Sequence, residues 1–207
     1  PAGRPSLFHE LKARPGAGPF LGIVSRLDAA VSGVVAAAKT PATAASLAEQ
    51  FRERSVDKHY AAIVTGRFPA PLGQWVEWID WLVRPAGNGP TLVVKDPDSS
   101  LDPSVQQAGS RARVVRRAGE VSLVELAPQT GRRHQLRSQL AARGCPIVGD
   151  RLYGSRLPFP IPGGIALHAT RLEFLHPADG RQMTFEARLP AAWKERFPQL
   201  FSRSAGG

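Results

Sequence analysis

Two neighbouring stretches constrain the fold most. Arg111–Arg116 and Val121–Ala127 each alternate between apolar and polar or small residues, and Ala118-Gly119 lies between them. Alternation with period two marks a strand that buries one face, and a short connection with Gly suits a tight turn. The pair therefore predicts an antiparallel hairpin at the centre of the chain. His59–Thr65, ended by Gly66, predicts another strand. Leu167–Phe174 and Met183–Leu189, joined through Pro177–Gly180, predict two more. The small apolar run Val34–Ala38 reads as a buried strand.

Helices are fewer. Thr40-Pro41 has the form of an N-cap followed by proline in the first helical turn, and Ala44, Leu47, Ala48 and Phe51 recur at helical spacing, which predicts an amphipathic helix over 41–54. Thr130 is expected to cap a second helix running to about Arg143 and stopped by Gly144. Trp193–Phe201 predicts a short terminal helix. The first 20 residues, rich in Pro and Gly, read as loop. Trp75, Trp78 and Trp81 are spaced as on a helix and read as packing residues. Residues 84–110 carry many Pro, Gly, Asp and Ser, with a strand candidate at Thr91–Lys95, and read as a long loop excursion within one domain spanning 1–207. The expected class is α+β: a central mixed, largely antiparallel sheet flanked by helices and loops.

Charge narrows the function. Lys and Arg number 27 against 17 Asp and Glu, a net charge of +10. Most of the bases are Arg, whose planar fork binds phosphate and stacks on bases, so the excess favours a nucleic-acid partner. Arg, Ala, Pro and Gly richness is also what a GC-rich genome produces, so charge alone does not decide. The single cysteine, Cys145, excludes an internal disulfide and makes the cytoplasm the default compartment. No histidines stand at a metal-ligand spacing, so no metal is expected. No apolar run approaches the roughly 18 residues of a membrane span. Pro1–Pro5 has neither a charged nor an apolar leader segment. A monomer is the default, there being no long apolar surface helix.

Three segments carry candidate chemistry. Ser25-Arg26-Leu27-Asp28-Ala29-Ala30-Val31-Ser32-Gly33 puts a carboxylate in a loop before a buried strand, although an Asp there also suits a plain turn. Val56-Asp57-Lys58-His59-Tyr60 enters a strand with a tyrosine, by itself an ordinary strand aromatic. Pro128-Gln129-Thr130-Gly131-Arg132-Arg133-His134-Gln135-Leu136-Arg137 is a strand-to-helix junction dense in donors. Leu136 and Leu140 face the core, and Arg137 falls at the edge of that stripe. It must either pair with a carboxylate or extend its head to water.

In this order the three segments resemble the RluA-type pseudouridine synthases, whose pattern is an HRLD-x-x-TSG loop, a K-x-Y strand start and a TGR-x-HQ-[IL]-R helix start. Pro146-Ile147-Val148-Gly149-Asp150-Arg151-Leu152-Tyr153-Gly154, Ala166-Leu167-His168-Ala169 and His176-Pro177 resemble further family stretches. The likeness runs from about Gly22 to Pro190. It implies a pseudouridine synthase fold and isomerisation of specific uridines to pseudouridine in structured RNA, rRNA or tRNA, with no cofactor. Asp28 matches the catalytic aspartate that attacks the uridine. Arg137 matches the arginine that pairs with it, where an opposite charge favours and orients the ionised carboxylate. Tyr60 matches the tyrosine that packs on the target base. Arg26 matches the residue that fills the gap left by a flipped nucleotide. Leu167 is implied as an apolar pocket wall, and Arg132 and Arg133 as phosphate contacts at the helix start.

The chain departs from the pattern at Ser25, where the family has histidine, at Ala30-Val31, where it has a polar pair, at Arg133, where a small residue is usual, and at Cys145, where histidine is common. Pro1-Ala2-Gly3 resembles the middle of the family's K-P-x-G segment, which would leave a lysine and an edge strand upstream or missing. The competing reading is an RNA-binding module of the same fold that has lost activity. A DNA-binding protein is the weaker third, since no helix-turn-helix or finger pattern is present.

Overall fold

A computed structural model describes residues 6–16, 18–85, 89–95 and 104–202. In chain order they form α1 (Leu7–Lys12), β1 (Gly22–Ile23), β2 (Ser32–Gly33), β3 (Ala37–Ala38), α2 (Pro41–Arg52), β4 (Asp57–Thr65), β5 (Val76–Val83) and β6 (Leu92–Val94). Then come β7 (Val105–Ala118), β8 (Val121–Pro128), α3 (Gln135–Ala142), β9 (Leu167–Leu175), β10 (Gln182–Glu186) and α4 (Ala191–Arg196). The main sheet has the order β10-β9-β4-β8-β7-β5-β6, antiparallel throughout, and β2 joins β9 in parallel. This is the α+β fold with a mixed, largely antiparallel sheet that the patterning implies.

The hairpin β7–β8 forms as expected, with Val114 opposite Val124 and Ala118 opposite Val121. Its apolar positions are fully buried at Ala112, Val114, Val124 and Leu126. Register carries one face across the sheet: Trp78 opposes Ser110, Ala112 opposes Leu126, Leu126 opposes Tyr60, and Tyr60 opposes Ala169. Paired residues share a face. Helix α3 covers this face, where Gln139 accepts from Ser110 Oγ at 2.7 Å and donates to Asp80 at 2.8 Å. The opposite face takes Trp193 of α4, edge-on to His168 at 6.2 Å. The stretch Pro146–Val148 is laced into the sheet end: Val148 N–H donates to Ile63 O and Ala166 N–H to Val148 O.

Thr40 caps α2 through its side chain, which accepts from Thr43 N–H, with proline in the first turn. Three expectations need correction. The stretch over Leu7–Lys12, read as loop, is a short helix capped by Ser6. Trp75, Trp78 and Trp81 are not helical. Trp78 lies within β5, buried, while Trp75 precedes it and lies beneath the guanidinium groups of Arg111 and Arg113. Trp78 and Leu82 both point inward, as residues an even number apart do in a strand. Pairing with β7 along the full length of β5 decides for the strand. Finally, Thr130 does not cap α3, which starts only at Gln135; Thr130 Oγ1 instead accepts from Gly109 N–H and donates to Gln135 Oε1. The cause is His134, whose left-handed backbone (φ 53°) interrupts the turn before the helix. Within 84–110, β6 occupies Leu92–Val94 and β7 takes the last residues; 86–88 and 96–103 lie outside the described residues.

Candidate active site

The site forms where the Asp28 loop, the start of α3 and the Asp150 turn converge. The loop is tied at both ends by backbone bonds. Ser25 N–H donates to Ala36 O, Val31 N–H to Asp28 O at 2.8 Å, and Ile165 N–H to Ala30 O at 3.0 Å. Ser25 Oγ also accepts from Ala36 N–H at 2.8 Å, so the residue that departs from the family histidine closes the loop entrance. At the other end Gly33 crosses β9 with φ 124°, and a Cβ there would stand 2.2 Å from Ala169 O. Only glycine fits that crossing. Ser32 Oγ lies 2.7 Å from His168 Nδ1, a second bolt between loop and sheet.

Arg137 is the hub. Its residue is 7% exposed, and it projects from α3 between two carboxylates. Asp150, 2% exposed, takes a two-pronged hydrogen bond, Nε to Oδ2 at 2.7 Å and Nη2 to Oδ1 at 2.9 Å. The third donor, Nη1, reaches Asp28 Oδ2 at 3.0 Å. Of the two sequence readings of Arg137, pairing is therefore the one observed. Burial opposes the cation, but the bonds and charge of Asp150, then those of Asp28, outweigh it, so the guanidinium pKa lies above its usual value. The Tyr153 ring lies beneath the guanidinium, 5.0 Å to the centroid.

Asp28 differs from Asp150 in being open. Its side chain keeps 30% exposure, and among the described residues Oδ1 accepts no hydrogen bond. A fixed carboxylate with one oxygen held and one presented to solvent can act as a nucleophile or as a base. Tyr60, on β4, lies within the field of Asp28. Burial first, then the Asp28 charge, pushes its hydroxyl up to about 12, so it stays protonated at neutral pH. Leu167 is buried in β9 opposite Ala62, on the Tyr60 face.

The other expected residues lie around this centre. Arg26 is exposed, two residues before Asp28. Arg132 donates through Nε to Gln107 O, and Arg133 through Nη1 to Gly89 O, both at 3.2 Å. Each therefore braces a carbonyl of the 84–110 stretch as well as standing at the start of α3. Sequence reasoning passed over three residues at the centre: Asp150, His134 and Tyr153. All three stand in the stretches that carry the resemblance, but their roles emerge only once Arg137 and Asp28 are seen together. Among the described residues no cluster of His, Cys, Asp and Glu could hold a metal ion, and no helix is long and apolar enough to cross a membrane.

Residues 2–142 match a family described as RNA pseudouridylate synthase. Dual-specificity RNA pseudouridine synthase RluA of Escherichia coli (strain K12) is 39% identical over 167 residues, which cover 79% of this chain and 71% of that protein. Ribosomal large subunit pseudouridine synthase C of Vibrio cholerae is 32% identical over 189 residues, 87% of this chain and 56% of that one. Among solved structures, human RNA Pseudouridylate Synthase Domain Containing 1 superposes with a TM-score of 0.71 at 24% identity, over 96% of this chain and 86% of its own. Human RNA Pseudouridylate Synthase Domain Containing 4 gives 0.68 at 24% identity, over 87% and 76%. The last two are likenesses of fold.

Proposed function

We propose, from the premise that this chain belongs to the RNA pseudouridylate synthase family and is an isomerase, that Asp28 is the carboxylate that converts uridine to pseudouridine in structured RNA. The observation that carries the reading is the Asp28 carboxylate, held on Oδ2 by a buried arginine and open on Oδ1. The reaction breaks the N1–C1′ bond, turns the base, and forms a C5–C1′ bond. The C5 proton leaves and N1 gains one, so no oxidant, reductant or cofactor is consumed. Asp28 attacks the uridine at the base or at C1′ and holds the fragment while the base turns. Arg137 holds the carboxylate aimed through the Nη1 bond to Oδ2. Its own fixation by Asp150 means that little reorganisation accompanies the reaction.

Tyr60, protonated and next to Asp28, packs on the target base. Leu167 supplies apolar wall on the same face. A uridine within a stack reaches Asp28 only when flipped out of it, and the exposure of Arg26, two residues before Asp28, supports its filling the gap. Arg132 and Arg133, with the net charge of +10, favour phosphate contacts that set register rather than sequence. The name of one relative, a ribosomal large subunit enzyme, supports a ribosomal RNA substrate, and tRNA is the other structured RNA in the reading. A cytoplasmic setting, suited to the single cysteine, and a monomer complete the reading.

Release of tritium from RNA carrying [5-³H]uridine tests this reading. Wild type should release it and Asp28→Asn should not, while both bind the RNA with dissociation constants within about threefold, roughly 0.6 kcal/mol. Turnover by Asp28→Asn would end the nucleophile assignment. Binding without release by wild type would favour an RNA-binding module that has lost activity.

A further inference from the structure

His134 sits where nothing in the proposed chemistry has yet used it. It occupies the residue before α3 in a left-handed conformation that non-glycine residues rarely adopt. That conformation turns its imidazole, 11% exposed, toward Asp28. Nε2 stands 3.8 Å from Asp28 Oδ2, the oxygen already held by Arg137. Nδ1 stands 2.9 Å from the Tyr153 hydroxyl, and that hydroxyl accepts from Thr91 N–H at 2.8 Å. The tyrosine ring meets the imidazole edge-on, 5.7 Å between centroids.

The carboxylate facing Nε2 selects one proton arrangement. Tyr153 has one proton, and its oxygen already accepts from Thr91. Burial pushes the Tyr153 hydroxyl up, so the proton is retained and donated to His134 Nδ1. The imidazole proton then sits on Nε2, facing the carboxylate. The opposite tautomer would aim a lone pair at an anion. The charged groups around the ring are Asp28 in its loop, Arg133 before α3, Arg137 on α3, and Asp150 beyond it. Burial lowers the imidazole pKa most; Asp28 raises it, Arg137 and Arg133 lower it, and Asp150 raises it, leaving it below the ordinary 6.5.

We propose that His134 is a positioning residue for Asp28: a neutral imidazole, protonated on Nε2, that steadies Oδ2 beside Arg137 and is itself held by Tyr153 and Thr91. The inference deepens the proposed function and rests on it for its catalytic meaning. It also connects the carboxylate to β6, since Thr91 immediately precedes that strand. Protonation of His134 would force Nδ1–H onto the Tyr153 oxygen, strand the tyrosine proton, and place a full cation against the attacking carboxylate.

Nitrogen-15 NMR of the histidine rings tests the arrangement without reference to turnover. At pH 7 His134 should show the Nε2–H tautomer and titrate below 6.5. Asp28→Asn should lower that value further, because it removes a carboxylate that stabilises the imidazolium. An Nδ1–H tautomer, or a titration that Asp28→Asn leaves unmoved, would overturn the inference. In tritium release, His134→Phe should reduce kcat about tenfold, through loss of the polar neighbour beside Oδ2, with KM changed less than about twofold. His134→Gln, which keeps a donor but does not titrate, should recover much of kcat and lose the acid limb of its pH profile. An unchanged acid limb in His134→Gln would also overturn it. A wild type that releases no tritium, yet shows the expected tautomer and the Asp28→Asn shift, would defeat the proposed function and leave the contact standing.

Discussion

Asp150→Asn isolates what holds the centre together. Asparagine keeps the shape and one oxygen, but it turns an NH₂ toward one arm of the Arg137 guanidinium, donor against donor. The cation is left at 8% side-chain exposure with Asp28 as its remaining anion, 3.0 Å away and itself 30% exposed. Breaking one partner of a buried pair costs about 3–5 kcal/mol. Because Asp28 stays and is partly solvated, the lower end applies, about 3 kcal/mol. With a urea slope of about 2 kcal/mol/M, the unfolding midpoint should fall by about 1.5 M. Circular dichroism in urea measures it directly. Replacing both partners, Asp150→Leu with Arg137→Met, should cost less than the sum of the two single changes, since no uncompensated charge remains. A midpoint shift under about 0.5 M for Asp150→Asn, or strict additivity in the double variant, would refute the hub.

Other consequences follow from single residues. Gly33→Ala would bring a methyl within 2.2 Å of Ala169 O at φ 124°, so thermal unfolding should shift down by an amount matching at least about 2 kcal/mol, the scale of backbone strain plus a clash. Changing Leu140, fully buried on the inner face of α3, to Ala should cost about 2–5 kcal/mol, read from the same urea curves. Tyr60 should not ionise until about pH 12, and ultraviolet titration of wild type against Tyr60→Phe would show it. Its folded value lies above its unfolded value, so the stability it contributes is complete below about pH 10 and is lost as pH rises through about 12. RNA affinity should fall steeply between 50 and 200 mM salt, by about a thousandfold if roughly six phosphates are contacted; a flat response would count against Arg132 and Arg133 as phosphate contacts.

What the sequence disclosed depended on how local the cause was. The β7–β8 hairpin and the Thr40 cap are decided by neighbours in the chain, and both form as patterned. Trp75, Trp78 and Trp81 were misread because their strand is decided by pairing with β7, some 30 residues away, and not by their own spacing. The start of α3 was misplaced because Thr130 serves Gly109 and Gln135, a tertiary use that no cap pattern reveals. At the site, Asp28 and Arg137 were legible through resemblance, and the fold brings the two side chains within 3.0 Å across 109 positions. The stronger partner of Arg137 was not legible. Asp150 is an unremarkable carboxylate in a glycine-bounded turn until the fold sets it opposite the guanidinium. His134 was hidden for a different reason: its use depends on a left-handed backbone that sequence pattern rarely signals for a histidine.

The most direct test of the account is to map pseudouridine in unmodified total RNA after incubation with the purified protein, by chemical derivatisation and reverse transcription, with Asp28→Asn in parallel. The account predicts a new stop at a defined uridine in a ribosomal or transfer RNA, present with wild type and absent with the variant. No stop on any RNA while binding is intact, or the same stop with both proteins, would contradict it.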